Sequence, residues 1–330
     1  MEGLFTTLST LKTPEILAPV DNIHEAGDLL NAGAHWLYGG CLPASWSNRY
    51  PRTVIINRRT FSGAQIDSTH ELAGIIALAM EVGGRFALTV NAPFYMDEQF
   101  EPVLELIRFA QEAGASAVIV ADPGLMARIA QDGMRIPIHV STMALASNAS
   151  AVRLYLSLGA ERIILPRFLG IEEIESLIRD FPDVDFETFL LVGKCPNIEG
   201  VCSFMHDSPD ARWPCEWAYS VTGTDGGSPS EGVWSSVDGA RTADRRDACG
   251  LCALPELLVS GVSTFKIVGR GAPTGRKTAL IKALSEAIEA AQEVGPAEEW
   301  YARCRGIYRS LYGHACGAHN CYFPDMKETP

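Results

Sequence analysis

The stretch Glu112-Ala113-Gly114-Ala115-Ser116-Ala117-Val118-Ile119-Val120-Ala121-Asp122 ends an amphipathic helical pattern on glycine and opens a short apolar run that finishes on an acid. Glycine at such a place permits the left-handed conformation that closes a helix, and a β-branched apolar run bounded by turns reads as a buried strand. The same phrase recurs at Asn31-Ala32-Gly33-Ala34 and Ser157-Leu158-Gly159-Ala160, each time ahead of a new apolar run. Helix, glycine and strand in repeated order are the pattern of βα units and of a parallel sheet.

Working outward, eight β-rich runs are read: Glu15–Val20, Trp36–Gly40, Phe86–Asn91, Ala117–Asp122, Pro137–Thr142, Arg162–Arg167, Phe186–Val192 and Thr264–Arg270. Helical patterns at His24–Asn31, Glu71–Val82, Gln99–Glu112, Gly124–Gln131, Ala149–Leu158 and Ile171–Arg179 lie between them, and a longer one covers Lys277–Val294. The predicted fold class is α/β, a (β/α)8 TIM-barrel-like domain over residues 1–295, followed by a cysteine-containing helical tail over 296–330. An open doubly wound sheet has the same local pattern and is the competing architecture. Two segments break the rhythm: an arginine-bearing loop between Cys41 and Ile66, and a long cysteine-bracketed loop after the seventh strand, between Cys202 and Asp247.

Composition narrows the chemistry. The chain has 330 residues, 47% of them apolar, with a formal charge of −13 and nine cysteines. No apolar run reaches the length of a membrane span, and Met1-Glu2-Gly3-Leu4-Phe5 lacks the basic and apolar regions of an export signal, so a cytoplasmic location is expected. An odd number of cysteines in that setting argues for metal or catalysis rather than a disulfide framework. Excess negative charge weighs against a non-specific grip on phosphate backbones, so nucleic acid is not the expected partner.

In a βα barrel the carboxyl ends of the strands carry the active site. That rule collects Asp21, Gly39-Gly40-Cys41, Asn91, Asp122, Ser141-Thr142, Arg167, Cys195 and Gly269-Arg270. Asn91 and Asp122 equally suit helix caps. Arg167 at a barrel mouth answers a carboxylate, a phosphate or a buried acid. His139 stands inside an apolar strand, two residues from Ser141 and on the same face, but no third partner for a nucleophilic triad can be named, and no Gly-x-Ser-x-Gly or His-Glu-x-x-His is present.

The thiols carry the strongest signal. Cys195 and Cys202 open the long loop, Cys215 lies within it, and Cys249 and Cys252 follow just before the last strand. Thiolates converging from such loops hold zinc or an iron–sulfur cluster, and spacing alone does not choose between them. Cys41, at the end of the second strand, lies on the correct face to be a candidate for the site. Cys304 in a helical pattern reads as a buried apolar residue, and Cys316 and Cys321, with His314 and His319, are either incidental or a second metal site.

The run Glu187-Thr188-Phe189-Leu190-Leu191-Val192-Gly193-Lys194-Cys195, with Cys202 after it, resembles the signature of peptidase family U-32, the collagenase-like proteins. His139-Val140-Ser141-Thr142, Leu165-Pro166-Arg167, Leu254-Pro255-Glu256-Leu257 and Phe265-Lys266-Ile267-Val268-Gly269-Arg270 extend the likeness over Ile16 to Ala291. The chain departs from the family at Val268, Met143 and Leu191-Val192. The resemblance implies an oxygen-independent hydroxylase with a [4Fe–4S] cluster on Cys195, Cys202, Cys215 and Cys249, with Cys252 and Cys41 as rival ligands and zinc as the alternative metal. Arg167, His139, Ser141, Asn91 and Arg270 are then the candidate catalytic residues. It also implies prephenate or a similar carboxylate as oxygen donor, and related subunits that pair as heterodimers. A small aromatic metabolite is the expected substrate. RNA-base hydroxylation, peptidase activity and a non-catalytic metal-stabilised subunit are the alternatives.

Overall fold

Strand β1 (Glu15–Pro19) pairs in parallel with β2 (Trp36–Gly39) on one side and with β8 (Thr264–Ile267) on the other, with Leu17 opposite Trp36 and Glu15 opposite Thr264. Between them run β3 (Arg85–Val90), β4 (Ala117–Val120), β5 (Ile138–Val140), β6 (Ala160–Ile164) and β7 (Asp185–Leu191), in chain order, closing one barrel of eight parallel strands. The fold is therefore the (β/α)8 barrel, not the open sheet. The structure is a computed structural model and describes residues 14–50, 56–59, 61–195, 197–202, 246–291, 297–317, 320–324 and 326.

The outer ring is formed by α1 (Ile23–Asn31), α2 (Ala44–Arg49), α3 (Thr69–Glu81), α4 (Asp97–Glu112), α5 (Pro123–Gln131), α6 (Ala149–Ser157), α7 (Ile171–Asp180), α8 (Leu254–Ser260) and α9 (Thr274–Ala291). Local chemistry sets their starts. Asn22, Ser68, Asp122 and Asn148 each accept backbone N–H groups of the first turn of α1, α3, α5 and α6. Each such cap contributes about 1 kcal/mol. Gly33, Gly114 and Gly159 have φ of 113°, 97° and 87°, the left-handed exits read from the recurring sequence phrase.

Side chains two residues apart on a strand fill successive layers of the barrel interior. The upper layer holds Tyr38, Ile119, Ser141, Ile164, Phe189 and Lys266, all facing a cavity. The lower layer is charged. Arg162 stands 3.5 Å from Glu187 and 3.7 Å from both Glu15 and Asp185, and the Trp36 indole N–H donates to Glu15 at 2.7 Å. The Arg162 guanidinium lies 4.9 Å from the centre of the Trp36 ring. Charges removed from water in this way persist because each has a partner from a different strand.

The tail packs on the barrel. Helix α10 (Ala297–Tyr312) buries Trp300, Cys304 and Tyr308, one face at four-residue spacing, against the segment 251–253 and α9. Beyond it the backbone of Cys321 pairs as an isolated β-bridge with that of Cys249, which pairs in the same way with Leu191 at the end of β7. Among the described residues no helix is long and apolar enough to cross a membrane.

Candidate active site at the carboxyl ends of the strands

A cavity of about 360 Å³ opens over the carboxyl ends of the strands. Its wall carries eight basic side chains, Arg58, Arg59, Arg167, Lys194, Arg246, Lys266, Arg270 and Arg276, against one acid, Glu199, among the described residues. The local field is thus opposite in sign to the whole-chain charge of −13. The argument drawn from that charge against nucleic acid therefore does not apply at the cavity, since net charge sums the whole chain whereas a cavity focuses the field of the groups that line it.

Strand β7 delivers the first cysteine through a strained turn. Val192 has φ of 62° and Gly193 φ of 79°, two left-handed residues in succession, the first β-branched. A Cβ on Gly193 would lie 2.7 Å from Val268, so glycine is required there twice over. The loop then turns through Cys195 and Cys202, and its buried acid Glu199 faces Arg167. The Arg167 guanidinium donates to Glu199 and to the Gly193 carbonyl, and its backbone N–H donates to the same carboxylate at 3.3 Å. Thr142 Oγ1 adds a bond to Glu199 at 3.2 Å. Burial alone would lower the Arg167 pKa, but Glu199 and Cys195 raise it above its ordinary value. The acid answered by this arginine is therefore the chain's own.

Arg58, at φ of 60°, donates to the Cys202 carbonyl at 3.2 Å, and its charge acts on the thiols of both Cys195 and Cys202. Burial pushes the Cys195 thiol up while Arg167 pulls it down. A thiol pair flanked by two guanidiniums suits a soft, anionic metal–thiolate centre. Cys215 lies outside the described residues. The Cys249 thiol, pushed up to about 12 by burial, interacts with those of Cys252, Cys316 and Cys321. Cys41 is fully buried in the core, at about 12, and its backbone pairs with Ile66, so its thiol is packed as an apolar group.

The other candidates separate. Ser141 Oγ accepts from Asn91 Nδ2 at 3.2 Å and from the Met143 N–H at 3.2 Å, and both Ser141 and Asn91 line the cavity. Asn91 Oδ1 is buried without a hydrogen bond on the same wall. His139 is placed differently from the catalytic expectation. It lies in the layer beneath the cavity, its ring centre 5.4 Å from that of Trp36. Burial, then Arg162, Lys266 and Arg85, hold its pKa well below the ordinary value, so it is a neutral core imidazole. Arg270 reaches the wall, donates to the Asn57 carbonyl, and leaves Nη1 without a hydrogen bond. Asp21 and Asp122 have structural uses: Asp21 accepts from Lys277 and from the Gly271 N–H at 2.6 Å, and Asp122 caps α5 and accepts the Tyr95 N–H at 2.7 Å.

Sequence reasoning passed over Lys266, Arg58, Arg59 and Glu199 as site residues. Lys266 Nζ stands 2.9 Å from Glu187 and 4.2 Å from the Tyr38 ring centre, and burial lowers its pKa while Glu187 raises it. Burial, followed by Arg270, brings Arg59 down to about 9. The signal available was a charge at an inward position of an otherwise apolar strand, and consecutive arginines in a loop at the rim.

The model of peptidase family U32 matches residues 21–328. The chain belongs to peptidase family U32. Among U32 relatives, the tRNA hydroxylation protein P of Escherichia coli (strain K12) is 29% identical over 217 residues, covering 63% of this chain and 44% of that protein. The tRNA hydroxylation protein P1 of Bacillus subtilis (strain 168) is 24% identical, covering 78% and 59%. A protein named collagenase from Porphyromonas gingivalis (strain ATCC BAA-308 / W83) is 27% identical, covering 84% and 66%. The chain thus spans about half the length of the curated relatives it matches. The solved structure of the U32 peptidase Mk0906 aligns at a TM-score of 0.42 with 18% identity, over 55% of this chain and 70% of that one.

Proposed function

We propose that this U32 chain is an RNA-base hydroxylase that acts on tRNA, with an iron–sulfur cluster beside the cavity. The observation that carries the reading is the ring of eight basic side chains around a cavity beside Cys195 and Cys202. Several relatives are named for tRNA hydroxylation, which supports the substrate class. The small aromatic metabolite expected from net charge loses its premise, because the charge met by a ligand is that of the wall.

The thiols of Cys195 and Cys202 fit such a cluster by chemistry and by the guanidiniums around them; Cys215 and Cys249 complete the set by resemblance. When bound, the cluster supplies one-electron redox chemistry at the cavity edge. The chain's own residues do the rest. Arg59, Lys266 and Arg270 receive phosphate or carboxylate oxygens. Phe189 and Tyr38 offer faces against which an extruded base stacks, as enzymes that modify a base inside a folded nucleic acid require. Asn91 Oδ1, buried and unbonded, is placed to accept from a base N–H. In balance, the substrate's C–H becomes C–OH while an anionic hydroxyl donor returns with C–H in place of its C–OH.

A peptidase would need a base on Ser141, whose hydroxyl is engaged by Asn91 and Met143, while His139 lies a layer below. The test is incubation of anaerobically purified protein with tRNA and hydroxy-carboxylate donors, followed by mass spectrometry of the digested nucleosides. A nucleoside heavier by one oxygen, absent with Cys195→Ser, is expected. Unaltered nucleosides together with cleavage of gelatin at equal purity overturn the reading.

A further inference from the structure

Residues 56–59, between α2 and α3, belong to no helix or strand, yet each of their four carbonyls accepts a hydrogen bond from a side chain. The Ile56 carbonyl accepts from the Tyr95 hydroxyl at 2.8 Å, and from the Ala92 N–H at 3.1 Å. The Asn57 carbonyl accepts from the Arg270 guanidinium, and the Arg58 carbonyl from Arg59 Nη1 at 3.3 Å. Gln65 Nε2 donates to the Arg59 carbonyl at 2.6 Å. Gln65 also exchanges both amide hydrogen bonds with the Asn57 side chain, at 2.7 and 2.9 Å. Both amides are buried, and they stand behind the cavity wall rather than on it. Gly40 leaves them room: a Cβ there would run into the Asn57 amide and lie 2.8 Å from Arg270 Nη1.

We propose that Asn57 and Gln65 are positioning residues of the cavity, locking residues 56–59 so that Arg58 is held on the thiol loop and Arg59 on the wall. That the two arginines meet a metal–thiolate centre and phosphate rests on the reading above; that the amide pair sets their places does not.

The arginines need such a lock. Arg59 is desolvated and crowded by Arg270, Arg167 and Arg58, all of like charge. A guanidinium in that position gains hydration and loses repulsion by swinging outward, unless its backbone is fixed. Arg58, which reaches the Cys202 carbonyl at 3.2 Å, has φ of 60°, a conformation that persists in a side-chain-bearing residue only where its surroundings impose it. Because the two residues are consecutive, one lock serves both. Loosening it should therefore degrade the thiol loop and the wall together, although neither amide touches a thiol or the cavity. A loop that merely supports the fold would lose stability alone.

Two variants approach the pair from opposite sides. Gln65→Leu removes three hydrogen bonds, and Gly40→Ala pushes on Asn57 and Arg270 without altering either. They are compared with wild type, Arg58→Gln and Arg59→Gln as anaerobically purified full chains. Binding of unfractionated tRNA across a salt series, iron content, and phenylglyoxal labelling of Arg58 and Arg59 mapped by mass spectrometry are measured below each melting temperature. Both variants should bind tRNA about tenfold more weakly, with the slope of log affinity against log salt reduced by about one, as in Arg59→Gln. They should also retain less iron, as in Arg58→Gln, and label faster at both arginines. A lowered melting temperature with wild-type slope, iron and labelling overturns the proposal, and if one variant does not fold the other decides. Faster labelling with a wild-type slope in Arg59→Gln itself would uphold the positioning role and sink the phosphate reading of the cavity.

Discussion

Arg167 and Glu199 form a buried pair that fastens the cysteine loop to the end of β6: one carboxylate oxygen accepts from both the guanidinium and the backbone N–H of the arginine. Glu199 is the more deeply buried, with its side chain 2% exposed against 16% for Arg167. Removing one partner strands the other charge in the interior, a loss of about 3–5 kcal/mol, discounted for the partial exposure of the arginine. Arg167→Met and Glu199→Gln should each lower the melting temperature and the iron retained by Cys195 and Cys202. The double variant should recover part of the stability, because no charge is left unpaired. Thermal unfolding and metal analysis of the three variants check this, and strictly additive losses would count against coupling.

On the tRNA reading, the basic wall predicts the salt response of binding. Arg59→Gln should weaken tRNA binding about tenfold and reduce the slope of log affinity against log salt by about one, the effect of losing one phosphate contact. Fluorescence anisotropy across a salt series measures both. An unchanged slope would remove Arg59 from the phosphate path.

His139 makes stability depend on acid. Its pKa in the folded protein lies well below the ordinary value, burial being the largest cause. The unfolded chain therefore binds a proton that the native state refuses, and stability falls as pH drops below about 6.5, by at most about 1.4 kcal/mol per pH unit. Above that value the full stability is present. His139→Gln should flatten this dependence between pH 6.5 and the onset of carboxylate titration. Denaturant titrations at several pH values show whether wild type and variant diverge.

Gly193 is tested by a methyl group. Gly193→Ala meets both a φ of 79° and Val268 at 2.7 Å, so it should cost more than the roughly 1 kcal/mol of Gly159→Ala, where φ is 87° but nothing lies near. The excess should appear together with lower metal occupancy, since Gly193 sets the path of Cys195.

Much of this was legible in the chain. All eight strands were read near their observed places because each is an apolar run, most of them following a glycine-closed helix, and the coordinates decided between a closed and an open sheet. The rim positions of Asn91, Ser141, Arg167, Cys195 and Arg270 followed from strand ends. His139 shared a face with Ser141 as expected, yet the layer it occupies depends on where Trp36 and Arg162 come from, and nothing local encodes that. Lys266 and Glu187 were visible as charges inside strands, but their partnership spans 79 residues and leaves no periodic trace. The overall charge did not reveal the basic wall, because it sums the whole chain, of which the cavity lining is a small part. Cys304 looked solitary for a similar reason: its neighbour Cys252 belongs to the barrel, and only the docking of α10 makes them companions.

The crossing of the tail over the end of β7 also fixes an order of events during synthesis. Lys194 donates to the Cys321 carbonyl across 127 residues, and the Tyr322 hydroxyl donates to the Val192 carbonyl at 2.6 Å. A ribosome that has just finished Cys195 and Cys202 has yet to make the stretch that holds their turn from outside. The turn that carries Cys195 is thus held from outside by residues made more than a hundred positions after it.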